Sequence, residues 1–177
     1  VSRFVFALGC TPYLAEVDTA NRMLVRWSDQ EDATNWAPSA TNQAGSIILS
    51  KGSKIVSAIQ SRQEVLIFTD AAVYTMQYVG APAVWSVQLV GDNTSIAGTN
   101  SVAYANGAAF WMGRDKFYVY DGRTQALPCT VRKYVFNDFN MEQIEQVTAG
   151  TNESFHEIWW HYPSKTATKN DRYVVFN

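Results

Sequence analysis

The sequence predicts an all-β protein made of β-propeller-like repeats of antiparallel hairpins, and three observations predict it. Short runs rich in Val, Ile, Phe, Tyr and Trp recur along the chain, and turn-forming residues separate them. The pattern returns at a nearly constant interval, since Val56 to Val102 is 46 residues and Val102 to Val147 is 45. A period of that length with several strands per unit marks propeller blades. One small sheet cannot bury both of its faces, so neighbours packed face to face supply the missing cover.

A partial unit opens the chain, pairing Phe4-Val5-Phe6-Ala7-Leu8 with Met23-Leu24-Val25-Arg26-Trp27 across the loop over 9–22. The first complete unit runs from Val56-Ser57-Ala58-Ile59 through Glu64-Val65-Leu66-Ile67-Phe68-Thr69 to Val73-Tyr74-Thr75-Met76-Gln77-Tyr78-Val79-Gly80. The second has Ser101-Val102-Ala103-Tyr104, an Asn106-Gly107 turn, Ala108-Ala109-Phe110-Trp111-Met112, and then Phe117-Tyr118-Val119-Tyr120. The third has Gln146-Val147-Thr148-Ala149, Phe155-His156-Glu157-Ile158-Trp159-Trp160-His161-Tyr162, and Asp171-Arg172-Tyr173-Val174-Val175-Phe176-Asn177 after a looser loop over 163–170. Asn-Gly is a tight-hairpin signal, and middle strands apolar on both faces are expected of strands held between two neighbouring sheets. Helix is predicted only over 137–145, where Asp138 or Asn140 would cap a short turn.

About four units fit a single all-β domain over 1–177. The chain is therefore a small propeller or part of a larger one, and a β-sandwich of the same hairpins is the alternative architecture. The first residue is Val and the first strand starts almost at once, which predicts a fragment of a longer chain. The opening Arg3 before an apolar stretch has the outline of a secretory signal, but Phe4 and Phe6 alternate with smaller residues as in a strand.

Apolar residues make up 47% of the chain, aromatics 14% and charged residues only 17%, with a net charge of −2. That balance excludes a general nucleic-acid binder with a basic face, and no apolar run is long enough to span a membrane. Cys10 and Cys129 are the only cysteines and lack metal-ligand spacing, so they read as two small buried residues.

The candidate chemistry reads as structural. His156 and His161 are the only histidines. In a strand Glu157, Trp159 and His161 share a face, but Glu157 and His161 lie about 13 Å apart along it, too far for adjacent metal ligands. There is no Gly-x-Ser-x-Gly elbow for a serine nucleophile. Ser28-Asp29-Gln30-Glu31-Asp32-Ala33-Thr34-Asn35-Trp36 is the most distinctive polar stretch. It lacks the Gly and distal Glu of an EF-hand loop and has some likeness to the structural Asp-box turns of sialidase propellers. The reading is a hydrogen-bonded turn pinned by Trp36. Asp29, Asp32, Asp70, Asp115 and Asp171 fall mostly in predicted turns, and Arg26, Arg62, Arg114, Arg123, Arg132 and Arg172 are scattered. The sequence thus predicts no catalytic set, no cofactor site and no metal site.

A set of short strings carries a family likeness. These are Arg26-Trp27-Ser28-Asp29 with Asn35-Trp36, Glu64 through Asp70 with Tyr74 through Gly80, and Phe110-Trp111-Met112-Gly113 with Phe117 through Gly122. Leu127-Pro128-Cys129, Tyr134-Val135-Phe136, Glu157 through Ser164 and Asn170 through Val175 continue it. Over most of residues 22–177 the chain resembles the tail nozzle (tail tubular protein B-like) family of short-tailed bacteriophages, similar in layout to their packaged-DNA stabilisation proteins. The resemblance implies a non-enzymatic structural protein of the virion, made in the host cytoplasm. It implies propeller-bearing subunits in a homo-oligomeric ring, a hexamer in the full protein, with adaptor, fibre or needle proteins as partners. DNA would pass through the channel during ejection without sequence recognition. A carbohydrate-binding or sialidase-like propeller is the alternative function, and it predicts acids and arginines gathered at the mouth of the blades.

Overall fold

The computed structural model describes residues 3–9 and 21–177. Within them the strands form four antiparallel sheets, each running from one strand to its next neighbour in sequence. Sheet 1 holds β1 (Phe6–Leu8), β2 (Leu24–Trp27) and β3 (Gly45–Ile48). Sheet 2 holds β4 (Ile55–Gln60), β5 (Glu64–Thr69), β6 (Ala72–Gly80) and β7 (Val84–Asp92). Sheet 3 holds β8 (Val102–Ala105), β9 (Ala108–Met112), β10 (Phe117–Tyr120) and β11 (Thr124–Ala126). Sheet 4 holds β12 (Thr148–Asn152), β13 (Glu157–Tyr162) and β14 (Arg172–Phe176). The described residues are nearly all β, in four antiparallel sheets of three or four strands.

The sheets pack in series. Val25 and Trp27 of sheet 1 meet Ile67 and Met76 of sheet 2. Leu66 and Phe68, on the opposite face of β5 from Ile67, meet Ala109 and Trp111 of sheet 3. Met112 and Phe117 of sheet 3 then meet Ile158 and Trp160 of sheet 4. This alternation explains why β5 and β9 read as continuous apolar runs: each is a middle strand buried on both sides. Burial of each such side chain contributes roughly 1.5–3 kcal/mol. Ring contacts add geometry, with Trp111 stacked on Tyr118 at 5.2 Å and Phe117 tilted on Trp160 at 4.9 Å. Three of the indole donors are satisfied, since Trp27, Trp111 and Trp160 donate to the carbonyls of Gln43, Ser95 and Ser101, whereas the buried Trp85 indole N–H has no partner among the described residues.

The leading strands of successive sheets lie side by side. The Ser57 hydroxyl donates to the Thr99 carbonyl at 2.7 Å, and the Ala149 amide donates to the Asn100 carbonyl at 2.7 Å. These bonds tie β4 and β12 to the segment that leads into β8. Among the described residues no apolar cluster joins sheet 4 back to sheet 1. Four sheets in series, rather than two face to face, also decide against the sandwich.

Asn106 and Gly107 take positive φ values of 51° and 84°, as the tight β8–β9 hairpin demands. Elsewhere the sequence reading needs correction. The repeat unit gains an outer strand it did not predict: β3 in sheet 1, β7 in sheet 2 and β11 in sheet 3. The helix expected over 137–145 is a 3-10 helix at Met141–Gln146, with Asn140 accepting from the Glu142 amide. A six-residue α1 (Arg132–Asn137) precedes it, and Val135 buries itself against the sheet 3–sheet 4 core. β13 starts at Glu157 rather than Phe155, because Glu153–Phe155 form a 3-10 turn and His156 adopts φ 57°. Cys10 and most of the β1–β2 loop lie outside the described residues. No helix of the described residues is long and apolar enough to cross a membrane.

Candidate functional site

The carboxylates singled out in the sequence are held in turns. Asp29 accepts from the amides of Gln30 and Gln43 at 2.8 Å each. Asp32 accepts from the Thr34 amide at 2.9 Å and its hydroxyl at 2.6 Å, and these bonds hold its carboxyl below the usual range. Trp36 donates to the Ala33 carbonyl and its own carbonyl receives the Arg26 guanidinium at 2.7 Å. The stretch over 28–36 is therefore a hydrogen-bonded turn anchored through Trp36.

Asp70 and Asp171 act alike. Burial disfavours the charged form of Asp70, but donation from the Ser53 hydroxyl and the Ser53 and Lys54 amides outweighs it and lowers the pKa. Asp171 accepts from the Ser164 amide and hydroxyl, both at 2.7 Å, and is likewise lowered. Asp115 pairs with Arg132 at 3.6 Å and with Lys116 at 3.8 Å.

The arginines do not converge. Arg26 is buried under the 28–36 turn, Arg123 bonds Gln125, Arg132 joins Asp115 and Arg172 pairs with Asp138 at 3.4 Å. The Arg114 amide, in the β9–β10 turn, donates to the Ser95 hydroxyl of the β7–β8 loop. Arg62 lines a polar cleft.

That cleft, of about 310 Å³, opens where the β4–β5 turn meets the hairpin ends of sheet 3. Its walls include Arg62, Glu64, Gln77, Tyr104, Tyr120 and Asp121. Gln77 donates to Glu64 at 3.0 Å. Burial, then the hydrogen bond to Glu64 and its charge, and lastly the charge of Asp121, push the Tyr120 hydroxyl up to about 12. Tyr120 is thus a neutral donor at any physiological pH and not a base. The arrangement offers hydrogen bonds to a small polar molecule. Its members come from separate turns and strands, so sequence reading missed all but Arg62; only the 45–46-residue repeat hinted that such turns would meet at one end.

On the outer face of sheet 4, Trp159 stacks on Tyr173 at 5.0 Å, with His161 6.2 Å from Trp159. The Trp159 indole donates to Glu157 at 2.9 Å. His161 and Glu157 therefore share a face as predicted, separated by an aromatic ring. His156 lies off the strand. Cys129 is a free thiol, half-buried in an apolar hollow beside Phe117 and Phe176. Among the described residues no three His, Cys, Asp or Glu side chains are grouped to hold a metal ion. In comparison with known proteins, no family model matches the chain and no curated protein matches its sequence.

Proposed function

We propose that this chain is a non-enzymatic structural part of a short-tailed phage tail, belonging to the oligomeric nozzle through which DNA passes. The observation that carries the reading is where the family-like strings fall in the fold. Phe110-Trp111-Met112-Gly113 and Phe117 through Gly122 make the middle sheet-to-sheet contact of the array, and Glu157 through Ser164 makes the next. The acids that could do chemistry, Asp29, Asp32, Asp70 and Asp171, are engaged in turn hydrogen bonds that shape the scaffold. A net charge of −2 suits a channel wall, because tight phosphate binding would stall the passage of DNA. Electron microscopy of the full-length protein tests this: rings with a central opening are expected, and particles without one would overturn it.

One observation favours a second reading, a carbohydrate-binding propeller. Arg62, Glu64 and Asp121 meet in the cleft at the turn end of sheets 2 and 3, where that reading places its polar groups. A glycan array probed with the protein and with Arg62→Ala tests it. Glycan binding abolished by the substitution would favour this reading over the first.

A further inference from the structure

Two stretches of the chain, residues 33–50 and 71–91, contain no Asp, Glu, Lys, Arg or His, although charged residues make up 17% of the whole. The fold brings them together. The first supplies β3, the edge of sheet 1, and the second supplies most of β6 and β7, with β7 the edge of sheet 2. The Tyr78 hydroxyl reaches Gln43 at 3.3 Å, joining the two stretches. The charges that follow them, Lys51 and Asp92, pair at 3.1 Å and close the uncharged region at one end.

This rim is also apolar and open. Ile47, Ile48, Tyr78, Val79 and Leu89 are 37%, 60%, 41%, 54% and 44% exposed. β6 and β7 are nine residues long where β5 is six, and they run past Gln77, the last residue of β6 paired with β5. Long apolar edge strands are normally guarded by charge, since their free N–H and C=O groups template pairing with another chain. The edges of sheets 3 and 4 follow that rule, with Arg123 beside β11 and Arg172 opening β14. The rim of sheets 1 and 2 does not.

We infer that the uncharged rim formed by β3 and β7 is the face onto which a second copy of this chain docks. The inference rests on the oligomeric reading above and names the surface that carries it. Three points single out a second copy. Each copy carries net negative charge, and an uncharged face lets two meet without like charges opposed. Eleven residues of the first stretch and nine of the second are exposed, near the roughly 20–30 a side of a standard interface. A free strand edge is best completed by another free edge, and the same chain offers two.

The test is the mass of the full-length protein by light scattering after size exclusion, for wild type and for the double variant Ile48→Lys/Leu89→Lys. The variant is expected to fall to a smaller species, while Gln125→Lys, on the edge of sheet 3, keeps the wild-type mass. A double variant with wild-type mass would overturn the assignment of this face and leave the oligomer standing. A wild type that is itself monomeric would overturn both. Hydrogen exchange on the wild type covers a variant that fails to fold: β3 and β7 amides should be protected in the oligomer and lose protection on dilution. Equal exchange in both states would contradict the proposal.

Discussion

Trp159 and Trp160 are neighbours on β13, yet they live in different environments. Trp160 is 1% exposed, packed on Phe117 and donating to the Ser101 carbonyl. Trp159 points to the outer face of sheet 4, where it stacks on Tyr173, itself 62% exposed. The alternation of a strand explains the geometry, but the sequence of β13 gives both positions the same residue type. What separates them is whether a sheet covers that face. Sheet 3 covers one side of β13; nothing among the described residues covers the other.

The largest expected effect breaks that pair apart. Trp160→Ala should cost about 3–5 kcal/mol through the lost burial and the cavity left behind. Trp159→Ala should cost about 1 kcal/mol, chiefly the stacking. Denaturant melts of the two variants check this, and equal losses would mean that both faces are packed.

Glycines give a second, smaller contrast. A Cβ at Gly113 would meet the Tyr118 ring at 2.6 Å and the Lys116 and Ser95 carbonyl oxygens at 2.9 Å. Gly113→Ala should therefore cost about 1–3 kcal/mol by overpacking. A Cβ at Gly150, on the open side of β12 beside Trp159, meets nothing within 4 Å, so Gly150→Ala should leave the melting temperature within about 2 °C.

The turn carboxylates predict the pH dependence. Asp32, Asp70, Asp92 and Asp171 all have folded pKa values below the ordinary one. Their contribution is therefore present above about pH 4 and is lost as pH falls through the lowered values. Melting temperature should decline below about pH 4, and Asp70→Asn should flatten that decline. Tyr120 has the opposite sign. With its pKa raised to about 12, its contribution holds below about pH 10 and fades between there and 12. An ultraviolet titration should show Tyr120 and Tyr162 as late tyrosines, with only the Tyr120 component moving earlier in Glu64→Gln, which is the smallest effect expected.

Much of the fold was legible because its signals are local. The aromatic and β-branched runs that became β5, β9 and β13, the Asn106-Gly107 turn and the capping Asn140 all carry their reason within a few residues. The outer strands β3 and β11 were not legible. Gly45-Ser46-Ile47-Ile48 and Thr124-Gln125-Ala126 are too short or too polar to show alternation, and only pairing to β2 and β10 makes them strands. Tyr134-Val135-Phe136 has strand-forming residues but sits in α1, where burial of Val135 overrides propensity. The cleft around Tyr120 was invisible because Arg62, Gln77, Tyr104 and Asp121 meet only after two sheets have packed.

On the proposed function, these serially packed sheets serve an assembly rather than a reaction. Native mass spectrometry of the full-length protein tests it most directly. A closed homo-oligomer of a single defined stoichiometry is expected, and a strictly monomeric protein would contradict the proposed function.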